Sequence, residues 1–354
     1  MMARVHAGIA QAGGWLPFDR YMSLVLYAPG LGYYARDSRQ FGRMPASGSD
    51  FVTAPELSPL FAQALAAQLA QALELTGTDE LWEFGAGSGV LAEQLLQALG
   101  KSVQRYHIVD LSAALMQRQR QRLQPFGARV QWHEQLPERL CGVVIGNELL
   151  DAMPVQLLGW DGQCWHERGV VRADAGLAWQ DRPTTLHPPA PDSAFVPGAV
   201  TEIHPQAEAF VRTLAARFER GAAFFIDYGF PEHEYYHPQR HGGTLMTHRA
   251  HRAATDVLAD PGEQDITAHV NFSAIALAGQ DAGLQVLGYT SQARFLLNCG
   301  LLPLLAATDA RTRAAAQPLL QEHEMGELFK VIGFAAGDAF DALGFAAGDR
   351  SHTL

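Results

Sequence analysis

The sequence predicts an α/β fold built on a doubly wound, mostly parallel sheet that ends in an antiparallel edge pair. A helical N-terminal extension and a β-rich insertion are added to it. Three observations carry this reading. Short apolar runs alternate with helical periods from residue 80 to residue 147, the rhythm of strands joined by crossover helices. Val143-Val144-Ile145 is apolar on both faces, as strands buried from both sides are. Leu81–Phe84 runs into glycines at alternate positions, Gly85, Gly87 and Gly89, and then into a helix. Glycine lets the chain turn sharply there and lets a ligand touch bare backbone.

The elements follow in order. Trp15-Leu16-Pro17-Phe18 opens an amphipathic helix to about Tyr27, and Pro29–Tyr34 is a turn followed by aromatics. Ser58, a favoured cap, and Pro59, at home in a first turn, start a helix to about Leu75. The core begins with strand 80–84, helix 89–99, strand 105–110, helix 112–124, and strands 128–133 and 142–147. Residues 155–203 change character. Short β segments at Val155–Trp160, Cys164–Val171 and Leu177–Trp179 precede a proline-rich connection, Pro183 to Pro197. The core resumes with helix 205–219 and strand Ala222–Asp227. Residues 230–268, rich in His, Gly and Pro, read as a long functional loop. Helix 272–282, strand 284–290, a Leu-rich helical stretch near 294–307 and strand 328–335 complete the chain. The predicted units are an extension (1–76), a core (77–154 and 204–336), a substrate-facing insertion (155–203) and a flexible tail (337–354). In that tail Gly333–Asp338 recurs as Gly344–Asp349, which reads as a local duplication.

Composition narrows the classes. With 48% hydrophobic and 18% charged residues, 354 residues bury a sizeable core. A net charge of −11 argues against unaided nucleic-acid binding and suits a basic partner. The three cysteines are far apart, with no C-x-x-C, so neither zinc nor a disulfide framework is suggested. His233, His237, His241, His248 and His251 crowd one loop without metal-ligand spacing, and no metal is expected. With no signal pattern and no apolar run near about 18 residues, a cytoplasmic chain without membrane insertion is expected.

Four segments carry chemistry. The glycine run is G-x-G-x-G, and Val90 stands where a dinucleotide fingerprint wants Gly or Ala. Glu83 precedes the first glycine, and the helix start offers unpaired N–H groups; the alternative is a tight turn with no ligand. Asp110 ends a strand at roughly the interval where an acid reaches ribose hydroxyls, or else caps the helix from Ser112. Trp132-His133-Glu134 ends the next strand, where resemblance to class I S-adenosylmethionine methyltransferases implies contact with adenine. Asn147, Glu148 and Asp151 follow a buried strand, at the end of the sheet where ligands sit. A guanidinium would compensate two buried carboxylates there; otherwise both are solvated helix-start acids. Asp227-Tyr228 ends another strand, and His269 is either a general base or a helix cap.

Glu83 with the glycine run resembles the first motif of class I S-adenosylmethionine methyltransferases. The ordered set is more specific. It comprises Leu26-Tyr27-x-Pro29-x-x-Gly32-Tyr33-Tyr34, Asp50-Phe51-x-Thr53-x-Pro55-Glu56, the glycine run, Asn147-Glu148-x-x-Asp151-Ala152-x-Pro154, Asp227-Tyr228-Gly229, Asp265-x-Thr267-Ala268-His269-Val270-Asn271-Phe272 and Met325–Val331. Together these resemble the MidA family over about residues 15–332. The resemblance implies a class I methyltransferase (Rossmann-like) fold, with S-adenosylmethionine as cofactor and S-adenosylhomocysteine as product. The family's mitochondrial member makes symmetric dimethylarginine on a subunit of respiratory complex I and assists that complex's assembly. By the same resemblance Glu83, Gly85, Ala86, Gly87 and Gly89 hold the methionine end and Asp110 the ribose. Leu111, Asn147, Thr53 and Pro55 complete the cofactor site. Glu148 and Asp151 would orient a guanidinium, with His269 or Asp227 accepting the proton. The implied partner is a protein bearing a target arginine, such as a complex I subunit. An assembly factor without turnover and a small-molecule methyltransferase are the other readings. The helix near 294–307 offers a homodimer surface. Ser88 and Ala86 stand where the family often has Arg and Pro, Ser49 where Gly is common, and Asp110 where Glu is frequent.

Overall fold

The computed structural model describes residues 1–36, 53–174, 176–249, 252–254 and 256–354. Ser49, the Asp50-Phe51 pair and His251 lie outside them. The central sheet contains β1 (Glu80–Phe84), β2 (Arg105–Val109), β3 (Val130–His133), β4 (Leu140–Asn147), β5 (Phe218–Phe230), β6 (Gln285–Ser291) and β7 (Phe329–Ala336). Their order is β3-β2-β1-β4-β5-β7-β6. The pairs from β3 to β5 are parallel. β7 is antiparallel to both β5 and β6, which makes the predicted edge pair. The order reverses between β1 and β4, and the carboxyl ends of those strands therefore open onto the crevice.

Alternating side chains of each strand build two layers. Leu81, Ile108, Val143, Ile145 and Phe224 pack on the helices Pro59–Thr76 and Val90–Leu99. Trp82, Phe84, Val144, Phe225 and Phe334 pack on Pro205–Arg217 and Phe272–Asp281. Helix starts follow the predicted chemistry. Ser58 Oγ accepts from the Leu60 amide at 3.3 Å, with Pro59 in the first turn. Ser112, not Asp110, caps its helix, accepting from the Leu115 amide.

The additions are more ordered than the sequence suggests. The extension holds two helices, Met2–Gln11 and Phe18–Tyr27. Between them Leu16–Pro17 is a strand that pairs with Trp165–Ala173 of the insertion. Gln156–Trp160, Gly176–Pro183 and Val200–Ile203 complete that five-stranded sheet. The stretch 230–268, read as a loop, contains the short helix Glu232–Tyr235 and an antiparallel sheet of Met246–Arg249, Arg252–Ala254 and Asp265–Thr267. Buried Glu202 anchors it, accepting from the Thr244 and Leu245 amides and the Tyr235 hydroxyl at 2.9, 3.2 and 3.0 Å. The stretch near 294–307 is two helices, Gln292–Asn298 and Leu301–Ala307, broken at Gly300, whose φ of 85° is left-handed.

The tail 337–354 corrects the expectation of flexibility. Phe345 is buried against Phe295 and lies where side chains on Gly288 and Gly333 would be. The Tyr289 amide donates to Asp349 at 2.9 Å, and Arg350 pairs with both carboxylate oxygens of Glu327. Small residues in the sheet leave a groove that a tail phenylalanine fills, and its burial outweighs the entropy of fraying.

Candidate active site

A cavity of about 1000 Å³ lies at the carboxyl ends of β1, β2, β4 and β5. Its first wall is the glycine turn. Gly85 and Gly87 have φ of 68° and 51°, in the left-handed region that side chains disfavour. Gly85, Ala86, Gly87 and Ser88 all line the cavity. Gly89, also left-handed at 76°, does not line it. It begins the helix Val90–Leu99 and faces Gln119 and Arg122, so its role is to start the helix. Ser88 Oγ donates to Glu56 at 2.5 Å, which ties the extension to the turn.

Two acids flank the turn. Glu83 is 3% exposed and accepts from Tyr106 Oη at 2.7 Å. Burial, and secondarily the Asp110 charge, raise its pKa to about 7 despite that bond. A buried carboxyl raised in this way is matched by a cation when one is bound. Asp110 is also buried and raised by burial. It accepts from the Ser112 amide at 2.9 Å and from Gln119 Nε2 at 2.8 Å. Leu111, Thr53 and Pro55 line the cavity, and Leu111 is 76% exposed. Of Trp132, His133 and Glu134, only Glu134 lines it. Trp132 donates to Gln119, and His133 pairs with His107 at 3.0 Å.

The loop after β4 forms the second wall. Asn147, Glu148 and Asp151 line the cavity. Glu148 has a left-handed φ of 52°, held by its amide's bond to the Ile226 carbonyl at 2.9 Å. Such strain in a non-glycine residue persists where the surroundings fix it and clusters at functional sites. Its side chain accepts from Asn147 at 3.2 Å. Burial first, then the Asp151 charge, push its pKa up to about 8. The residue as a whole is half-buried. Asp151 is 5% exposed and is raised to about 6, mainly by burial and against the nearby Tyr228 phenol.

Asp227 corrects a prediction. It does not line the cavity. Its Oδ2 accepts from the amides of Leu149, Leu150 and Asp151 at 3.1, 2.8 and 3.3 Å, so it braces the acidic loop from behind. His269 does line the cavity. It stacks on Phe230 at 5.4 Å, whose ring Arg240 covers at 3.7 Å. Burial first, with the Arg240, Lys330 and His248 charges, lowers its pKa to about 4 against a hydrogen bond with Thr244. The ring is therefore neutral near pH 7 and accepts hydrogen bonds more readily than it holds a proton.

Among the described residues, four buried polar atoms on this cavity have no hydrogen-bond partner: Asn147 Oδ1, Asp151 Oδ1, Thr267 Oγ1 and His269 Nδ1. Buried polar groups are nearly always paired, and this cluster calls for a ligand rich in donors. Among the described residues the lining carries seven carboxylates, Glu83, Asp110, Glu134, Glu148, Asp151, Asp265 and Glu324, and no Lys or Arg. Tyr27, Tyr34, Tyr228 and Asp265 also line it. Motif reading noted them but gave them no role. Asp265 and Thr267 share a face at period two, and that spacing was the available signal. Gln206, Phe210 and Thr213, from the helix after the insertion, had no signal at all.

The residues fit S-adenosylmethionine, which carries an amino cation, ribose hydroxyls and a sulfonium: Glu83 has no cationic partner among the described residues, Asp110 directly follows β2, and the glycine turn exposes backbone. Comparisons agree. Residues 64–290, more than half of the chain, match the family described as "Putative S-adenosyl-L-methionine-dependent methyltransferase". A solved structure of a "likely methyl transferase" from Burkholderia thailandensis, bound to S-adenosyl-homocysteine, is 55% identical with a TM-score of 0.95. It covers 100% of this chain and 96% of its own. A human relative, protein arginine methyltransferase NDUFAF7, mitochondrial, is 27% identical across 88% of this chain and 76% of its own. The Caenorhabditis elegans homologue is also 27% identical, across 82% of this chain and 74% of its own. The chain belongs to the MidA family of S-adenosylmethionine-dependent methyltransferases.

Proposed function

We propose that this methyltransferase modifies a protein arginine. The observation that carries the reading is the acid-rich wall, which has no Lys or Arg among the described residues: unsatisfied oxygens on Asn147 and Asp151 beside Glu148 and Asp265. A guanidinium has five N–H donors and no acceptor. It satisfies such a wall, whereas a neutral metabolite leaves charge uncompensated. The relatives named above as protein arginine methyltransferases support the same reading. By the family resemblance, a complex I subunit is the first candidate partner.

S-adenosylmethionine supplies an electrophilic methyl group when bound. Glu83, Asp110, Asn147, Thr53, Pro55 and the glycine turn would hold it. Glu148 and Asp151 align one guanidinium nitrogen toward that methyl, chiefly a positioning effect. The acceptor nitrogen must lose a proton. Glu148, raised to about 8 before ligands bind, is better placed to take it than the weakly basic His269 or the inward-facing Asp227. His269 Nδ1 then serves as a neutral acceptor that orients the substrate.

The test is incubation of the purified protein with methyl-labelled S-adenosylmethionine and host lysate. Label should enter one or few proteins and be recovered as methylarginine. Glu148→Gln should lower labelling on the order of 100-fold. Label on another residue type would sink the arginine reading. Undiminished label in Glu148→Gln would remove that residue from the chemistry. Binding without any label would favour an assembly factor without turnover.

A further inference from the structure

The cavity's acids come from separate elements. Glu148 and Asp151 belong to the loop after β4. Asp265 belongs to the small sheet, where it pairs in register with His248. The residue is 3% exposed and lines the cavity. Asp265 Oδ1 accepts from the Tyr34 hydroxyl at 2.8 Å. Tyr34 stacks on Tyr27 with centroids 5.6 Å apart, and the Tyr27 hydroxyl donates to the Ala152 carbonyl at 2.7 Å. The extension's aromatic pair thus ties both acid-bearing elements together. Two further atoms mark a ligand position beside these acids. Asp151 Oδ1 and Thr267 Oγ1, in cavity-lining residues 5% and 3% exposed, have no hydrogen-bond partner among the described residues.

We propose that Asp265, fixed by Tyr34, is a specificity-determining residue that grips the acceptor guanidinium from a second element and so selects arginine over lysine. This rests on the arginine reading above. A guanidinium is flat and spreads five donors over three nitrogens, whereas an ammonium concentrates three donors at one point. Carboxylates on two elements engage two edges of a plane at once, and a point charge gains little from the second. Tyr34 limits the directions in which Asp265 can turn, which preserves the spacing of the two elements.

The experiment titrates the S-adenosylhomocysteine complex of the full chain with a blocked Gly-Gly-Arg-Gly-Gly peptide and its lysine twin, read by calorimetry. Wild type should prefer the arginine peptide. Asp265→Asn should weaken arginine-peptide binding about tenfold, the scale of one charge-assisted contact. Its lysine-peptide and S-adenosylhomocysteine affinities should stay unchanged. Tyr34→Phe should fall between, and Asp265→Glu should recover part of the preference. Asp265→Asn that keeps the wild-type preference would overturn the inference and leave the arginine reading standing. Loss of S-adenosylhomocysteine affinity in Asp265→Asn would also overturn it, because the residue would then serve the fold. A wild type that does not prefer the arginine peptide would sink the arginine reading itself, and the inference with it.

Discussion

Glu83 shows how a single side chain reports its ligand. Its carboxyl rises from 4.5 to about 7 because burial outweighs the Tyr106 hydrogen bond. The unfolded chain releases this proton near the ordinary carboxylate value. Between these values the folded protein binds more protons than the unfolded one, so this group's contribution to stability falls as pH rises. A bound amino cation reverses the preference and expels the proton. The thermal shift on adding S-adenosylhomocysteine should therefore grow from about pH 5.5 to about pH 8. Scanning fluorimetry checks this, and Glu83→Gln should flatten the dependence. A flat wild-type profile would mean that the methionine amino group lies elsewhere. Glu83 and Asp110 were legible in the sequence because the glycine run sets their positions. Asp227 was not, because its three amide donors lie 76 to 78 positions earlier in the chain. A strand-end acid reads the same in sequence whether it faces a cavity or braces a loop.

At the scale of the element, the glycine turn separates conformational strain from ligand contact. An alanine at Gly85 would sit at φ 68° and place its Cβ 3.2 Å from Leu149 Cδ1, inside the cavity wall. Gly77, at φ 61° after the helix Pro59–Thr76, has nothing within 4 Å of a Cβ. Both Gly85→Ala and Gly77→Ala should lose about 1–2 kcal/mol, the cost of left-handed backbone for an L-residue. Only Gly85→Ala should also weaken S-adenosylhomocysteine binding, by about tenfold or more, since a methyl group then occupies backbone contact space. Denaturant melts give the first quantity and calorimetry the second. Equal ligand affinity in the two variants would show that the turn acts only as a scaffold. Strands β1, β2 and β4 were legible to within about a residue or two, because each is a short apolar run bounded by polar or glycine residues. The small sheet in 230–268 was not. Its strands are polar and carry histidine and arginine, and their pairing depends on Glu202, a residue outside the segment.

Across the whole molecule, the duplicated Gly-Phe-Ala-Ala-Gly-Asp motif shows where sequence reading runs out. The two copies have the same letters and different structures. Phe334 lies in β7 and packs in the layer with Phe225 and Tyr289. Phe345 lies in the tail and packs in the opposite layer with Phe224 and Phe295. The duplication reads as a flexible tail, yet small residues in the sheet let that tail approach it. A Cβ on Gly288 would come within 2.2 Å of the Phe345 ring, and one on Gly333 within 2.7 Å. Replacing Phe345 with alanine removes the ring from a groove that no neighbouring side chain fills. It should cost about 3–5 kcal/mol, the usual range for a buried aromatic truncated to alanine. Truncation after Gly337 should cost at least as much, because the Asp349–Tyr289 and Arg350–Glu327 bonds go too. Asp349→Asn, which keeps the ring, should lose only about 1 kcal/mol. Urea denaturation separates these outcomes by midpoint. An unchanged midpoint in Phe345→Ala would show that the tail is ornamental. A lowered one would make the last eighteen residues part of the core that holds Glu327 beside the cavity-lining Met325, Leu328 and Phe329.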